Sequence, residues 1–229
     1  MFTGIIQELG HVAAFESQTS GGARLRIGAK LAERLKPGDS VAVNGCCLTV
    51  TEIRAESEPP AFVADLAPET LRRTSLSRLT PGAAVNLEPP LRAGDLLSGH
   101  MVQGHVEGVG RLLALERQGD GGAWLQLRLP AELLPYVVWK GSLTVEGISL
   151  TIASLESDVA GFAIIPFTWE HTNLHMLSAG AAVNLETDPV ARHIERLLEA
   201  RGTVDGGAPA VGARPERDWS VGELREQGF

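Results

Sequence analysis

The chain has 229 residues, 44% of them hydrophobic and 21% charged, so it can bury a sizeable core and falls outside the disordered class. Its length exceeds one typical domain and points to two. Twenty Lys and Arg against 28 Asp and Glu leave a net charge of −8, which repels a phosphate backbone or an anionic bilayer and argues against nucleic-acid or membrane partners.

The N-terminal MFTGIIQELGHV has no basic segment ahead of its short apolar patch, and no later stretch approaches the roughly 18 to 20 apolar residues of a membrane span. A cytoplasmic protein without a signal peptide is expected. Period-two alternation at 40–44 and 48–51 predicts half-buried strands, with Asn44-Gly45 between them as a tight turn. A short helix is expected at 67–79. Alternation returns at 125–129 and 142–145, followed by Glu146-Gly147 as a second, poorer turn, and a second short helix is expected at 167–177. Asp188 and Pro189 then supply an N-cap and a first-turn proline for an amphipathic helix carrying Val190, Ile194, Leu197 and Leu198. Beyond Arg201 the chain is rich in Gly, Pro and charge, and a mobile tail is expected over 201–229.

Comparing the sequence with itself settles the organisation better than length does. Met1, Gly4 and Gly10 recur as Met101, Gly104 and Gly110, and Gly45, Leu48 and Thr49 recur as Gly147, Leu150 and Thr151. Pro68, Thr70, Thr74 and Leu76 recur as Pro166, Thr168, Thr172 and Leu174, and GAAVNLE at 82–88 returns letter for letter at 180–186. The chain is a duplication, with one repeat at 1–100 and a second at 101–197. About 100 residues of short strands without long helical periods predict an all-β sandwich or closed barrel for each.

The recurring residues are mostly Gly, Thr, Asn and apolar, as in a duplicated scaffold, and the copies differ where a site would need asymmetry. Cys46-Cys47 in the first corresponds to Ile148-Ser149 in the second, and alternation along a strand places Cys46 with core and Cys47, like Ser149, toward a pocket. A vicinal disulfide between the two cysteines is sterically awkward. His105 stands where the first copy has Ile5, so the fold itself does not require an imidazole there. His171 and His175 have helical i, i+4 spacing, and His100 and His105 flank Met101. The first copy has Arg73 and Ser77 at the positions of His171 and His175, no HExxH accompanies the pair, and no metal site is expected. Phosphate-binding glycine loops and the G-x-S-x-G elbow are also missing from the sequence.

At MFTGI, NGCCLTV, GISLT and the second-copy GHV, the sequence resembles the riboflavin synthases, trimeric enzymes built of two lumazine-binding repeats, over roughly residues 1–200. The resemblance implies two homologous six-stranded Greek-key barrels, a C-terminal helix at about 188–200 that holds a homotrimer together, and no cofactor. The implied reaction is dismutation of 6,7-dimethyl-8-ribityllumazine: one molecule gives a four-carbon unit to another, yielding riboflavin and 5-amino-6-ribitylaminouracil. Association with lumazine synthase is left open.

Carried over by position, Gly4, Ile5, Ile6, Cys47, Leu48 and Thr49, with Asp65, Leu66, Ala67, Pro68, Glu69 and Thr70, would line a first pocket. Gly104, His105, Val106, Lys140, Ser149, Leu150 and Thr151, with Ile165, Pro166, Phe167, Thr168, Trp169 and Glu170, would line a second. Catalytic candidates are His105, Ser149, Cys47 and Asp188, with Thr151 and Glu146; Asp188 has an equal reading as a helix cap. The family usually carries Asp where this chain has Glu146, and polar residues at the position of Phe167. A non-catalytic lumazine- or flavin-binding protein of the same fold is the alternative. Retention of both Gly-x-x-Leu-Thr blocks together with Ser149 and His105 favours the enzyme.

Overall fold

A computed structural model of the protein describes residues 1–119 and 121–200. The first repeat consists of β1 (Glu8–Ser17), β2 (Ala23–Gly28), β3 (Ser40–Val43), β4 (Cys46–Arg54), β5 (Ala61–Leu66) and β6 (Ala84–Glu88). All neighbours are antiparallel, and the order β1-β2-β5-β4-β3-β6 closes on itself as a barrel. Alternation drives this: in β2, Ala23, Leu25 and Ile27 point into a core shared with Val41, Val43, Phe62 and Leu87, while Arg24 faces out. A register shift between Val12 and Ala14 bends β1 and helps the sheet close.

The second repeat has β7 (Gly108–Arg117), β8 (Ala123–Arg128), β9 (Ser142–Val145), β10 (Ile148–Thr151), β11 (Ser154–Glu156), β12 (Val159–Ile164) and β13 (Ala182–Thr187). Its bulge, between Leu112 and Ala114, recurs at the matching place in β7. Here the expected six-stranded barrel becomes a curled seven-stranded sheet of order β10-β9-β13-β7-β8-β12-β11. The segment that forms the single strand β4 in the first repeat is interrupted at Ile152 and Ala153. The Ile152 N–H donates to the Gly141 carbonyl on one side, at 3.0 Å, and that of Ala153 to Gly161 on the other, at 2.8 Å. The first barrel carries a register shift between Val50 and Glu52 at the same point, so the interruption is that irregularity taken one step further. Each repeat has its own hydrophobic core.

The two expected short helices are each broken in the middle. Helix α1 (Pro68–Arg73) is followed by a 3₁₀ turn at Ser75–Arg78, and α2 (Pro166–His171) by one at Asn173–Met176. Thr74 and Thr172 sit between them with extended backbone. The Thr74 hydroxyl donates to the Thr70 carbonyl at 2.7 Å and accepts the Leu76 N–H at 3.2 Å, so the side chain ends one turn and caps the next. Thr172 does the same with Thr168 and Leu174.

The repeats meet about a pseudo-twofold axis. Phe2 and Val102 pair in an antiparallel bridge, and the two hairpin turns abut. Asn44-Gly45 and Glu146-Gly147 all have positive φ, as a two-residue turn matched to strand twist requires. A Cβ on Gly45 would lie 2.7 Å from the Gly147 nitrogen, and one on Gly147 2.7 Å from that of Gly45, so glycine is needed for the contact as well as for the turn. Helix α3 (Pro189–Ala200) leaves the second repeat, with the Asp188 carboxylate accepting the Val190 N–H at 3.0 Å as its cap. Val190, Ile194, Leu197 and Leu198 are exposed along it. Among the described residues no helix is long and apolar enough to cross a membrane. The tail expected to be mobile, 201–229, lies outside the described residues.

Candidate functional site

Both N-terminal segments cross over to the other repeat. The Cys47 N–H of the first repeat donates to the Gly104 carbonyl of the second, and the Ser149 N–H of the second donates to the Gly4 carbonyl of the first, each at 2.8 Å. Ile6 packs on the second core and Val106 on the first. Two buried carboxylates fix these segments. Glu186 accepts N–H groups from Gln103, Gly104 and His105, and Glu88 accepts from the Thr3 and Gly4 backbone and the Thr3 hydroxyl. Burial pushes Glu186 up to about 7, and Glu88 up as well, despite the N–H donors. The structure thus brings the segment of Gly104, His105 and Val106 beside Cys47, and the segment of Gly4, Ile5 and Ile6 beside Ser149, rather than grouping each segment with the strand of its own repeat. A duplicated sequence looks the same whichever repeat its leading segment covers.

The first of these surfaces holds a cavity of about 490 Å³, walled by Cys47, Glu69, Thr70 and Arg73 from one repeat and Gly104, His105, Val106 and Glu107 from the other, with Arg192 at its side. Cys47 is half-buried against Phe2, Ala42 and Val102, whereas Cys46 faces the first core and burial holds its thiol up at about 12, protonated and unreactive. The His105 imidazole is exposed while its backbone N–H is tied to Glu186. Glu69 pairs with Arg72 and Arg73, which pull its carboxyl below the usual range. Asp65 pairs with Arg24 at 3.1 Å. Thr49, Ala67 and Pro68 are exposed; Leu48 and Leu66 are buried in the barrel and support the surface from behind.

On the second surface Ser149 has a partner that comparison of the repeats does not reveal. The His100 imidazole places Nδ1 2.7 Å from Ser149 Oγ and Nε2 3.1 Å from Thr144 Oγ1. In the tautomer whose Nε2–H donates to Thr144, Nδ1 accepts the Ser149 hydroxyl proton. Burial lowers the His100 pKa and keeps it neutral, against a smaller opposing pull from Asp188. Close approach puts it there: the His100 N–H donates to the Thr3 carbonyl at 3.2 Å, and a Cβ on the preceding Gly99 would come 2.0 Å from that oxygen. His100 lies at the junction, one residue ahead of Met101 and outside the blocks that recur between the copies. A histidine beside a glycine at the junction was the available signal.

Thr151, Lys140, Ile165, Pro166, Phe167 and Glu170 are exposed around Ser149's repeat, and a cavity of about 330 Å³ opens against Ile165, Pro166, Ala163 and Trp124. Leu150 is buried. Phe167 stacks on His171, and Trp169 lies beside His175 and under Arg117. Thr168 lends its carbonyl to Thr172. His171 and His175 each bond a carbonyl of their own segment, and among the described residues no group of three or more His, Cys, Asp or Glu is placed to hold a metal. Asp188 caps α3. Glu146 lies away from both cavities' reactive candidates, fully buried in the seam, where it accepts from the Asn184 N–H, the Asn173 amide and the Ser75 hydroxyl.

Lumazine binding domains match at residues 3–89 and 103–188. Riboflavin synthase of Mycobacterium tuberculosis is 42% identical over 206 residues, covering 88% of this chain and all of that protein. The enzyme of Actinobacillus pleuropneumoniae is 35% identical over the full length of both. The chain belongs to the riboflavin synthase family. The riboflavin synthase of Bacillus subtilis is 37% identical over 86% of this chain and 90% of its own. Among solved structures, LumP complexed with riboflavin superposes with a TM-score of 0.74 at 26% identity, and LumP complexed with 6,7-dimethyl-8-(1'-D-ribityl) lumazine with 0.72 at 25%; each covers 82% of this chain and 99% of LumP. The two lumazine binding domain matches begin at Thr3 and Gln103, within the two crossed segments.

Proposed function

We propose that the protein is a riboflavin synthase that dismutates two molecules of 6,7-dimethyl-8-ribityllumazine into riboflavin and 5-amino-6-ribitylaminouracil, a cofactor-independent four-carbon transfer. The observation that carries this reading is the pair of pseudo-symmetric surfaces, each made from one repeat's Gly-x-x-Leu-Thr strand and the other repeat's leading segment. A reaction between two copies of one molecule needs two related seats, and holding both reactants in place supplies much of the rate. The backbone groups of the crossed segments would hold the rings, and Thr49, Thr151 and Asp65 the ribityl hydroxyls.

The surfaces are unequal in their chemistry. Ser149, with its proton shared toward neutral His100, is fitted to add to one lumazine or to deliver a water to it, while His105, exposed beside Cys47, is within reach of a methyl proton on a ligand in the first cavity. The apolar stripe of α3 supports a homotrimer in which a first surface of one copy faces a second surface of another, and the two free thiols support a reducing, cytoplasmic setting. Association with lumazine synthase would shorten the path of its product to these pockets. The test is direct: purified protein and the lumazine alone should give one riboflavin per two lumazines consumed, with activity surviving EDTA. Tight lumazine binding without turnover would make it a binding protein of the LumP kind, and a requirement for metal or nicotinamide would reject the cofactor-free route.

A further inference from the structure

Helix α3 has no extended packing against any described strand or helix, so its seat is made by side chains. Asp188, Arg192 and Glu195 lie along one face, opposite Val190, Ile194 and Leu197 at 100° per residue. Arg192 is the centre of that polar face. Its Nε lies 2.6 Å from Glu107 Oε1, with the N–H turned off the hydrogen-bond axis, so the contact is an ion pair rather than an aimed hydrogen bond. Its guanidinium lies over the Tyr136 ring at 4.2 Å, and the Tyr136 hydroxyl bonds Glu195 one turn on. The other Glu107 oxygen accepts the Thr187 N–H at 3.0 Å and hydroxyl at 2.5 Å, at the end of β13 from which the helix departs.

Glu107 follows His105 by two residues, and Arg192, Glu107 and His105 are all in the wall of the cavity that holds Cys47. We propose that Arg192 is a positioning residue: it clasps α3 to Glu107 and so holds the 104–107 segment, with His105, in the geometry the reaction needs. One side chain then serves two surfaces. It fixes the rotation of α3, which decides where the apolar stripe points, and it closes one side of the reactive cavity. A half-buried ion pair stacked on a ring is stronger than an exposed one, because solvent screens it less.

The inference rests on the functional reading above, and its test separates the two. In the full-length protein, Arg192→Ala should lower kcat/KM about 10- to 100-fold, the scale of a misplaced catalytic group. Arg192→Lys, which keeps the charge and loses the planar stack, should recover part of this. Arg192→Ala/His105→Ala should be little worse than His105→Ala, because the arginine acts through the histidine's segment. Arg196→Ala, on an exposed pair with Glu199, should leave activity unchanged. Hydrogen exchange over 189–199 and 103–107 should quicken in Arg192→Ala and in Glu107→Gln. Wild-type kinetics in Arg192→Ala, losses that multiply with His105→Ala, a harmless His105→Ala, or unchanged exchange would each overturn the proposal. If the wild-type protein does not turn over lumazine, the functional reading fails instead, and the exchange measurement still decides the clasp.

Discussion

A neutral imidazole held between two hydroxyls is a proton acceptor whose strength depends on how much water it has lost. His100 stands between Ser149 and Thr144, and burial has moved its pKa below the usual histidine value near 6.5. Ser149→Ala and His100→Ala should each lower kcat, by about 10- to 10⁴-fold, and the double variant should be no worse than the poorer single one, since the pair works as a unit. Cys47→Ser should cost less, a hydroxyl being able to replace a half-buried thiol. Multiplying losses for His100 and Ser149 would separate them. The acid limb of the kcat profile should lie below about pH 6.5, because the neutral form persists as the pH falls toward a depressed pKa. Asp188 pulls the other way, so Asp188→Asn, which can still cap α3, should move that limb lower; a limb that rises or stays fixed would remove the carboxylate from the site's electrostatics. Cys47 and Ser149 were legible because each has a counterpart of different chemistry. His100 was not, since it lies at the junction, outside the blocks that recur between the repeats.

Elements carry the next level of asymmetry. The strands around 40–51, 125–129 and 142–145, both hairpin turns and the start of α3 follow from alternation, Asn44-Gly45, Glu146-Gly147 and Asp188-Pro189. The helices at 67–79 and 167–177 form but break in the middle, because propensity over such a window cannot see a threonine hydroxyl that bonds four residues back and two forward. The break of β4's counterpart into β10 and β11 was equally hidden, as Ile152 and Ala153 differ from other strand residues only in which neighbours their amides meet. Helix α3 gives this scale its prediction. Its docked face is ionic and its exposed face apolar, so removing everything from Asp188 onward should reduce the mass measured by light scattering and sharply lower activity. The two repeats should still melt cooperatively, as their cores include nothing from the helix. A truncated protein of unchanged mass and full activity would mean that the stripe at Val190, Ile194 and Leu197 covers no second copy.

At the scale of the whole molecule, the seam holds the repeats as one body. Asn44 accepts the Asn86 N–H while Glu146 accepts that of Asn184, and Asn86 and Asn184 donate to the backbone carbonyls of Glu146 and Asn44. One carboxyl therefore occupies a place that its twin fills with an amide. Burial raises Glu146 to about 7, above its unfolded value near 4.3, so folded protein holds a proton there that unfolded chain has released. Its contribution to stability is complete below the unfolded pKa and is lost as pH rises through the folded one. Urea midpoints should fall between pH 5 and pH 8, and Glu146→Gln should flatten that fall without abolishing it, because Glu186 is shifted the same way. An unchanged slope in the variant would place the pH dependence elsewhere.

The same crossing dictates what half of the molecule does alone. A fragment of residues 1–97 keeps a closed barrel and every buried residue of its core but loses Val106 packed against that core and the Gly104 carbonyl that takes the Cys47 N–H, and its own Gly4 carbonyl has no Ser149 to meet. Two copies restore both, each giving Gly4 to the other's Cys47, with Phe2 against Phe2 and the Asn44-Gly45 turns back to back. In the seam Asn44 and Ser75 would stand in for Glu146 and Asn173, amide and hydroxyl for carboxylate and amide, so no buried charge is left unpaired. The fragment should run as a dimer in light scattering and quench lumazine fluorescence on binding, with negligible turnover because His100, His105 and Ser149 are missing. Affinity should fall on dilution below the dimer's dissociation constant, since the pocket exists only in the pair. A monomer that binds lumazine with undiminished affinity would show that one repeat builds its pocket unaided, and the crossed assembly would then matter to the fold and not to the ligand.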